Sequence, residues 1–324
     1  MRVLVTGATG FLGGRLCHHL ARRGFDVVAT GRSDTLCAAL ADQGFEVHRL
    51  ELSTGPLPKR FGPIDAIVHT AGLSSPWGAW ANFKAANVDA TQNMVEAAKR
   101  MGVSRFVNIS TPSVYFVLRD QMDVAETHPL PTPYNAYARS KAEAERLVLS
   151  TPEIGPVSLR PRGIYGSGDS ALLPRLLRAA QTHPLPVFRG GRARIDLTHV
   201  SDVCAAVEAA LLAGPVAVGE TFNISGGEVL PVRHIIDTAC ARSGVDPRWR
   251  RVPFRPALGV AKLQESLAAL SAQGKEPKFT SYALALLAFE QSLNIDKAAR
   301  LLGWTPKVRF DDGVEEALGK GRQK

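Results

Sequence analysis

Met1-Arg2-Val3-Leu4-Val5-Thr6-Gly7-Ala8-Thr9-Gly10-Phe11-Leu12-Gly13 is the stretch on which the reading of the fold turns. Val3, Leu4 and Val5 form a short continuous apolar run of strand length, and glycines at 7, 10 and 13 punctuate its end. From Phe11 to Arg23 the apolar positions return at helical spacing, so the glycines occupy a strand-to-helix turn. Bare backbone at such a turn lets a phosphate approach the positive end of the helix dipole, and side chains at the glycine positions would obstruct it. The stretch predicts a dinucleotide-binding turn formed by Gly7, Thr9, Gly10, Phe11, Leu12 and Gly13.

Outward from this turn, apolar runs at Phe25–Thr30, Phe45–Leu50, Ile64–Thr70, Arg105–Ser110 and Val157–Arg160 read as further strands. Their continuous hydrophobicity marks parallel strands buried on both faces. Between them, Leu36–Gln43, Asn82–Met101 and Tyr134–Ser150 carry helical periodicity, and successive right-handed β-α-β crossovers are the simplest connection. The expected class is α/β, a doubly wound parallel sheet of Rossmann type over residues 1–160. A smaller mixed α/β substrate lobe over 161–324 is expected to share some elements with it.

In that lobe, helices are expected at Leu172–Gln181, Val200–Leu212, Val232–Ser243, Pro256–Ala272 and Thr280–Gln291, with strands at Ile195–Thr198 and Thr221–Ile224. Val260, Leu263, Leu267 and Leu270 fall at helical spacing, and Tyr282–Phe289 is a continuous apolar run. Both read as core packing or a lid, with an apolar substrate channel or loose membrane contact as the other reading. The run is far shorter than the ~20 residues of a transmembrane helix, so no transmembrane segment is expected.

The 324 residues carry a net charge of +9, yet the basic residues are scattered singly apart from Arg248-Trp249-Arg250-Arg251. A nucleic-acid partner would need a localised basic stripe, and none is expected. Four cysteines lie far apart without metal-ligand or redox spacing, which predicts buried thiols and no metal. The first residues run straight into a strand, leaving no room for a leader, so a cytoplasmic location is expected.

Tyr137 and Lys141 are the chain's one Tyr-x-x-x-Lys pair. Residues four apart share a helix face, so the ammonium is expected to stand beside the phenol and lower its pKa. Such a pair suits proton transfer to or from an alcohol or ketone.

The Gly-x-x-Gly-x-x-Gly turn, His69-Thr70-Ala71-Gly72, Asn87-Val88-Asp89-Ala90-Thr91-Gln92-Asn93, Ile109-Ser110-Thr111 and Tyr137/Lys141 occur in that order. Together they resemble the extended branch of the short-chain dehydrogenase/reductase superfamily, the NAD-dependent epimerase/dehydratase family, over nearly the whole chain. The resemblance implies that Thr111 is the catalytic hydroxyl and that Tyr137 transfers the proton. It also implies that Lys141 holds the nicotinamide ribose, that Asn87 joins a water relay, and that Ala71, Glu51 and Leu52 contact the cofactor. A homodimer packed through the Asn82–Met101 and Tyr134–Ser150 helices is a further implication. The second strand ends at Thr30 and Gly31 without a carboxylate for the adenosine ribose, and Arg32 offers a cation there. NADPH is therefore the preferred cofactor, with NAD the alternative.

Departures from the family's patterns narrow the reaction. The resemblance to nucleotide-sugar dehydratases lacks their acidic pair after the threonine, since Pro112 and Ser113 stand there. The epimerases' diphosphate-gripping arginine is replaced by Ile195, although Arg192 or Arg194 lies close in sequence. Thr111–Phe116 and Leu159–Asp169 look like the 3β-hydroxysteroid-dehydrogenase-like and 2-alkyl-3-oxoalkanoate reductase branch. The expectation is an NADPH-dependent reductase of a small hydrophobic ketone, a β-keto acid or steroid-like molecule. Arg162, Arg189 and Arg192 are candidates to meet a carboxylate, each also readable as structural. The alternatives are a nucleotide-sugar epimerase or reductase and a non-catalytic NADP-binding sensor.

Overall fold

The computed structural model describes residues 1–55, 61–270, 276–277 and 279–319. Its first half runs β1 (Arg2–Thr6), α1 (Phe11–Arg22), β2 (Asp26–Gly31), α2 (Asp34–Ala41), β3 (Glu46–Arg49), β4 (Ala66–His69), α3 (Trp80–Phe83), a π-helical turn (Lys84–Asp89), α4 (Ala90–Met101), β5 (Arg105–Ile109), β6 (Gln121–Val124), α5 (Ala136–Leu149) and β7 (Pro156–Pro161). The second half runs β8 (Ile164–Tyr165), α6 (Leu173–Thr182), β9 (Leu185–Val187), β10 (Arg194–Ile195), β11 (Thr198–His199), α7 (Val200–Leu212), β12 (Glu220–Ile224), β13 (Leu230–Pro231), α8 (Val232–Arg242), β14 (Trp249–Arg251), α9 (Phe254–Leu270), α10 (Ser281–Leu286), β15 (Gln291–Leu293), α11 (Asp296–Leu302) and α12 (Phe310–Leu318).

Among the described residues a seven-stranded sheet takes the order β12-β7-β5-β4-β1-β2-β3, with every pairing parallel. Val3, Leu4 and Val5 are fully buried because helices cover both faces. Leu16, Cys17 and Leu20 of α1 pack with Val203 and Val207 of α7 on one side, and Met94 and Val95 of α4 pack with Ile67 and Phe106 on the other. Chain order reverses between β1 and β4, and the crevice outside the carboxyl ends of such strands is where α/β sheets bind ligands. The ends of the flanking helices are specified locally. Ser33 caps α2, the Asn135 side chain accepts from the Ala138 N–H at 2.8 Å to start α5, and Gly102 ends α4 with φ 67°.

The two halves interleave. β12 from the second half completes the large sheet, while β6 from the first joins a smaller one ordered β13-β10-β15-β6. Four differences from the sequence reading follow from packing. Asn82–Met101 is interrupted by the π-helical turn at Lys84–Asp89. The strand expected at Ile195–Thr198 divides between two sheets, because buried Asp196 turns inward to accept from the Ser225 hydroxyl at 2.6 Å and the Leu293 N–H at 2.9 Å. The helix expected over Thr280–Gln291 ends at Leu286, and Gln291 pairs as a strand with Gln121. Tyr282–Phe289 does pack, with Leu284, Ala285, Ala288 and Phe289 in a cluster beside Phe116 and Phe188. Val260, Leu263, Leu267 and Leu270 are exposed instead of lying in a core, since α9 meets the body through Ala257 and Ala261 on another face. Ala272, at the end of the expected α9, lies outside the described residues.

Among the described residues no helix is long and apolar enough to cross a membrane. All four cysteines are buried and unpaired.

Candidate active site

The glycine turn is shaped by its close approaches. A Cβ at Gly13 would lie 2.2 Å from the Gly7 carbonyl oxygen, and one at Gly7, where φ is 68°, would lie 2.8 Å from the Ala71 backbone. Thr6 ties this turn to the end of β4: its hydroxyl bonds His69 Nδ1 at 2.8 Å and accepts from the Ala71 N–H at 3.2 Å. His69 Nε2 reaches the Thr91 hydroxyl at 3.0 Å, and burial, helped by Lys141, pushes the imidazole down to about 3. His69 is thus a neutral strut holding the loop that follows it.

A cavity of about 200 Å³ opens above the turn, lined by Gly7, Thr9, Gly10, Arg32, Glu51, Leu52 and Ala71. Gly13 supports its floor through the close packing just described. Phe11 lies against Gly168, and Leu12 packs on the core beneath. Thr30, Thr70 and Ala86 also face the cavity and were not singled out from the sequence. A helix N-terminus, a cradle that side chains would fill and a slot between Arg32 and Ala71 are what a dinucleotide needs, and these residues fit one. Arg32 and Glu51 pair across the rim at 3.5 Å. The Ser53 hydroxyl, 2.7 Å from the Glu51 carboxylate, holds that carboxyl below its usual range, and Arg32 adds to the effect.

The candidate proton-transfer residues meet at the carboxyl end of β5. Thr111 caps a 3-10 turn over Pro112–Tyr115, and its Oγ1 accepts from the Ser113 N–H at 3.2 Å and donates to Ser113 Oγ at 3.1 Å. Tyr137, in the first turn of α5, has the Thr111 and Ser74 side chains beside its phenol, where they favour its ionised form. Ser113 Oγ lies 2.8 Å from the Tyr282 hydroxyl on α10. Three hydroxyls, Thr111 and Ser113 from the turn after β5 and Tyr282 from α10, therefore form one chain, and Tyr137 on α5 stands beside it at Thr111, with Ser74 also close to the phenol. Ser74 and Tyr282 were missed from the sequence. The position of Ser74 just after His69-Thr70-Ala71-Gly72 was an available hint, while Tyr282 sat inside an apolar run.

The Tyr137 pKa moves opposite to the sequence expectation. Burial pushes the phenol up, and the Thr111 and Ser74 side chains only oppose this. The Lys141 ammonium donates to the Ile109 carbonyl at 2.5 Å, and burial depresses its own pKa to about 8 against an upward pull from Glu145. Its charge is thus engaged by the backbone of β5 and stands near the Gly72 position, 4.0 Å from where a Cβ there would lie.

Asn87, on the π-helical turn, is buried with both ends of its amide used. Oδ1 accepts from the Leu73 N–H at 2.6 Å, and Nδ2 donates to the Leu73 carbonyl at 3.1 Å and to Ser140 Oγ at 2.8 Å. It clamps the segment that carries Ser74 against α5. The candidate arginines are also occupied. Arg162 faces Asp196 at 3.1 Å and donates to Gln291 at 2.7 Å, Arg189 donates to Asp120 at 2.7 Å, and Arg192 lies 3.6 Å from the same carboxylate. Their structural reading is the one these contacts support. Arg194 donates to the Val229 carbonyl at 3.0 Å, and Ile195 is paired within the small sheet.

The model of the NAD dependent epimerase/dehydratase family matches residues 3–225. The chain is 34% identical to a 4-hydroxy-2-methyl-3-oxo-4-farnesyl-3,4-dihydroquinoline-1-oxide ketoreductase of Stigmatella aurantiaca, over 97% of this chain and 95% of that one. It is 30% identical to a 2-alkyl-3-oxoalkanoate reductase of Stenotrophomonas maltophilia, over 97% of each. Among solved structures, UDP-glucuronic acid 4-epimerase from Bacillus cereus in complex with NAD superposes with a TM-score of 0.77 at 25% identity, over 98% of each chain.

Proposed function

The chain belongs to the NAD-dependent epimerase/dehydratase family, as an enzyme of its NAD(P)-dependent extended short-chain branch, and from that premise we propose that it is an NADPH-dependent reductase of a hydrophobic ketone. The observation that carries this reading is the hydroxyl chain around Tyr137, with Pro112 and Ser113 where the dehydratase reaction needs carboxylates. Burial holds Tyr137 in its neutral, proton-bearing form, which is the form that reducing a ketone requires.

In this mechanism Thr111 turns its hydroxyl proton from Ser113 to the ketone oxygen, and Tyr137 delivers its proton to the same oxygen as charge develops there. Hydride for the carbonyl carbon is what the nicotinamide of a dinucleotide held at the glycine turn would supply. Lys141 anchors the cofactor side of the site and, as a cation one turn along α5, stabilises the phenolate left behind. Asn87 keeps the Leu73–Ser74 segment in place, and the second lone pair of its Oδ1 is all it offers to a water relay.

Arg32 is the cation that favours a 2′-phosphate, and NADPH would draw it away from Glu51. Both ketone- and keto-acid-reducing relatives support a hydrophobic substrate, with a β-keto acid as the specific choice. A homodimer through α4 and α5 belongs to the same reading and is measured by sedimentation velocity. The second reading, a nucleotide-sugar epimerase, is favoured by the likeness to the UDP-glucuronic acid 4-epimerase.

The test is an activity screen crossing NADPH and NADH with alkyl β-keto acids, steroid ketones and nucleotide sugars. The expected result is NADPH oxidation with the apolar ketones. Turnover of nucleotide sugars without any turnover of apolar ketones would overturn it.

A further inference from the structure

α9 carries an apolar stripe that the fold leaves uncovered among the described residues. Val260, Leu263, Leu267 and Leu270 are 57%, 61%, 59% and 84% exposed. At ~100° per residue these four span only about 80° of the helix circumference, and Ala261, which anchors the helix to the body, lies across from them. Single exposed leucines are ordinary, but four aligned along three turns make a contiguous patch of the kind that marks an interaction surface.

The charges beside the stripe are of one sign. Arg255 and Lys262 are exposed and fall next to each other, roughly 60° to 80° round the helix from the stripe. The one acid on α9, Glu265, is turned to the body, accepting from the Ser281 N–H at 2.7 Å and its hydroxyl at 3.0 Å. Arg250 and Arg251, exposed on β14 just before the helix, add to the positive edge. A two-fold contact between copies of this face would bring these like charges together, whereas anionic headgroups neutralise them.

We propose that the exposed face of α9 docks the enzyme onto an anionic lipid bilayer, lying in the interface and not spanning it. The leucines enter the acyl boundary while Arg255 and Lys262 extend along it to the phosphates. Through its opposite face the docked helix backs onto α10 and the chain of hydroxyls. Ala261 packs against Leu284 and Ala285 of α10, Glu265 holds Ser281, and the next residue, Tyr282, bonds Ser113. Lipid would thus lie one helix thickness from α10, which carries Tyr282, a placement suited to an apolar substrate dissolved in the membrane.

The experiment is flotation of the full chain with vesicles of phosphatidylcholine alone and of phosphatidylcholine with phosphatidylglycerol, which needs no substrate and so stands apart from the reductase reading. Wild type is expected to float with the mixed vesicles and at least about tenfold more weakly with phosphatidylcholine alone. Leu263→Gln with Leu267→Gln should lower affinity by a further factor on the order of ten, and Arg255→Glu with Lys262→Glu should remove the salt-sensitive part. Circular dichroism checks both variants, and the charge pair carries the test if the leucine pair misfolds. Wild type that does not float with mixed vesicles, or leucine and charge variants that float as well as wild type, overturns the proposal. So does an assembly that loses a copy of the chain when the leucines are replaced, since that assigns the face to a second copy.

Discussion

The glycine turn and the hydroxyl chain follow the carboxyl ends of β1 and β5 in the same parallel sheet, yet they are built in opposite ways. The turn is a contiguous stretch of backbone from Thr6 to Gly13, whose function depends on side chains being absent. The hydroxyl chain is all side chain, and its Ser113–Tyr282 contact joins residues 169 positions apart. Backbone chemistry packed into eight residues leaves a spacing that can be read, while chemistry assembled by packing leaves single residues with no local signature.

The sharpest way to separate the two regions is Tyr137→Phe. Turnover should fall by roughly 10³-fold while cofactor affinity, followed by nicotinamide fluorescence, stays within about twofold. A parallel loss of cofactor binding would show that the regions act as one. Gly13→Ala is the converse. Its methyl must displace backbone at the Gly7 carbonyl, so cofactor affinity should fall by about 100-fold with the fold retained by circular dichroism; unchanged affinity would break the account of the turn.

Lys141 stands between the regions and links them to pH. Burial holds it at about 8 against an ordinary 10.5, so between those values the native chain binds fewer protons than the unfolded one. Stability of the cofactor-free chain therefore rises with pH through that window, and below it the full penalty, up to about 3 kcal/mol, is present. Lys141→Met should remove this dependence, with urea midpoints of variant and wild type converging toward alkaline pH. Smaller effects probe the edges of each region. Arg32→Ala should raise the KM for NADPH about tenfold and leave that for NADH nearly unchanged. Tyr282→Phe should change kcat/KM by only about two- to tenfold, because it removes one neutral hydrogen bond from Ser113. A larger loss would place Tyr282 in contact with the substrate.

Legibility followed the same division. The strands of the large sheet up to β7, and the helices α1, α4 and α5, were readable because each pairs a local hydrophobic period with local turn chemistry. β6 was not, since Gln-Met-Asp-Val shows no strand signature until Gln291 and Leu293 pair with it. Asp196 looked like one residue of a continuous strand, and only the buried partners Ser225 and Leu293 reveal why the chain changes sheets there. Of the readings open for the α9 stripe, core packing is the one its exposure removes, because periodicity gives the width of an apolar face without saying which face meets the body. Tyr137 and Lys141 were found from spacing, but the direction of the tyrosine pKa was not: spacing suggests a cation beside the phenol, whereas burial sets the direction and the Lys141 ammonium is held on the Ile109 carbonyl.

The sequence by itself determined the doubly wound sheet, the glycine turn and the one-turn spacing of Tyr137 and Lys141, because near-neighbour periodicity and the steric freedom of glycine act over a few residues; Thr111 as a candidate came from the family resemblance. The tertiary structure alone decided that Ser113 and Tyr282 complete the hydroxyl chain with Ser74 close to the Tyr137 phenol, that Arg162, Arg189 and Arg192 are tied to acids, and that α9 turns its leucines outward. These depend on which distant surfaces exclude water together, and no local stretch of chain encodes that.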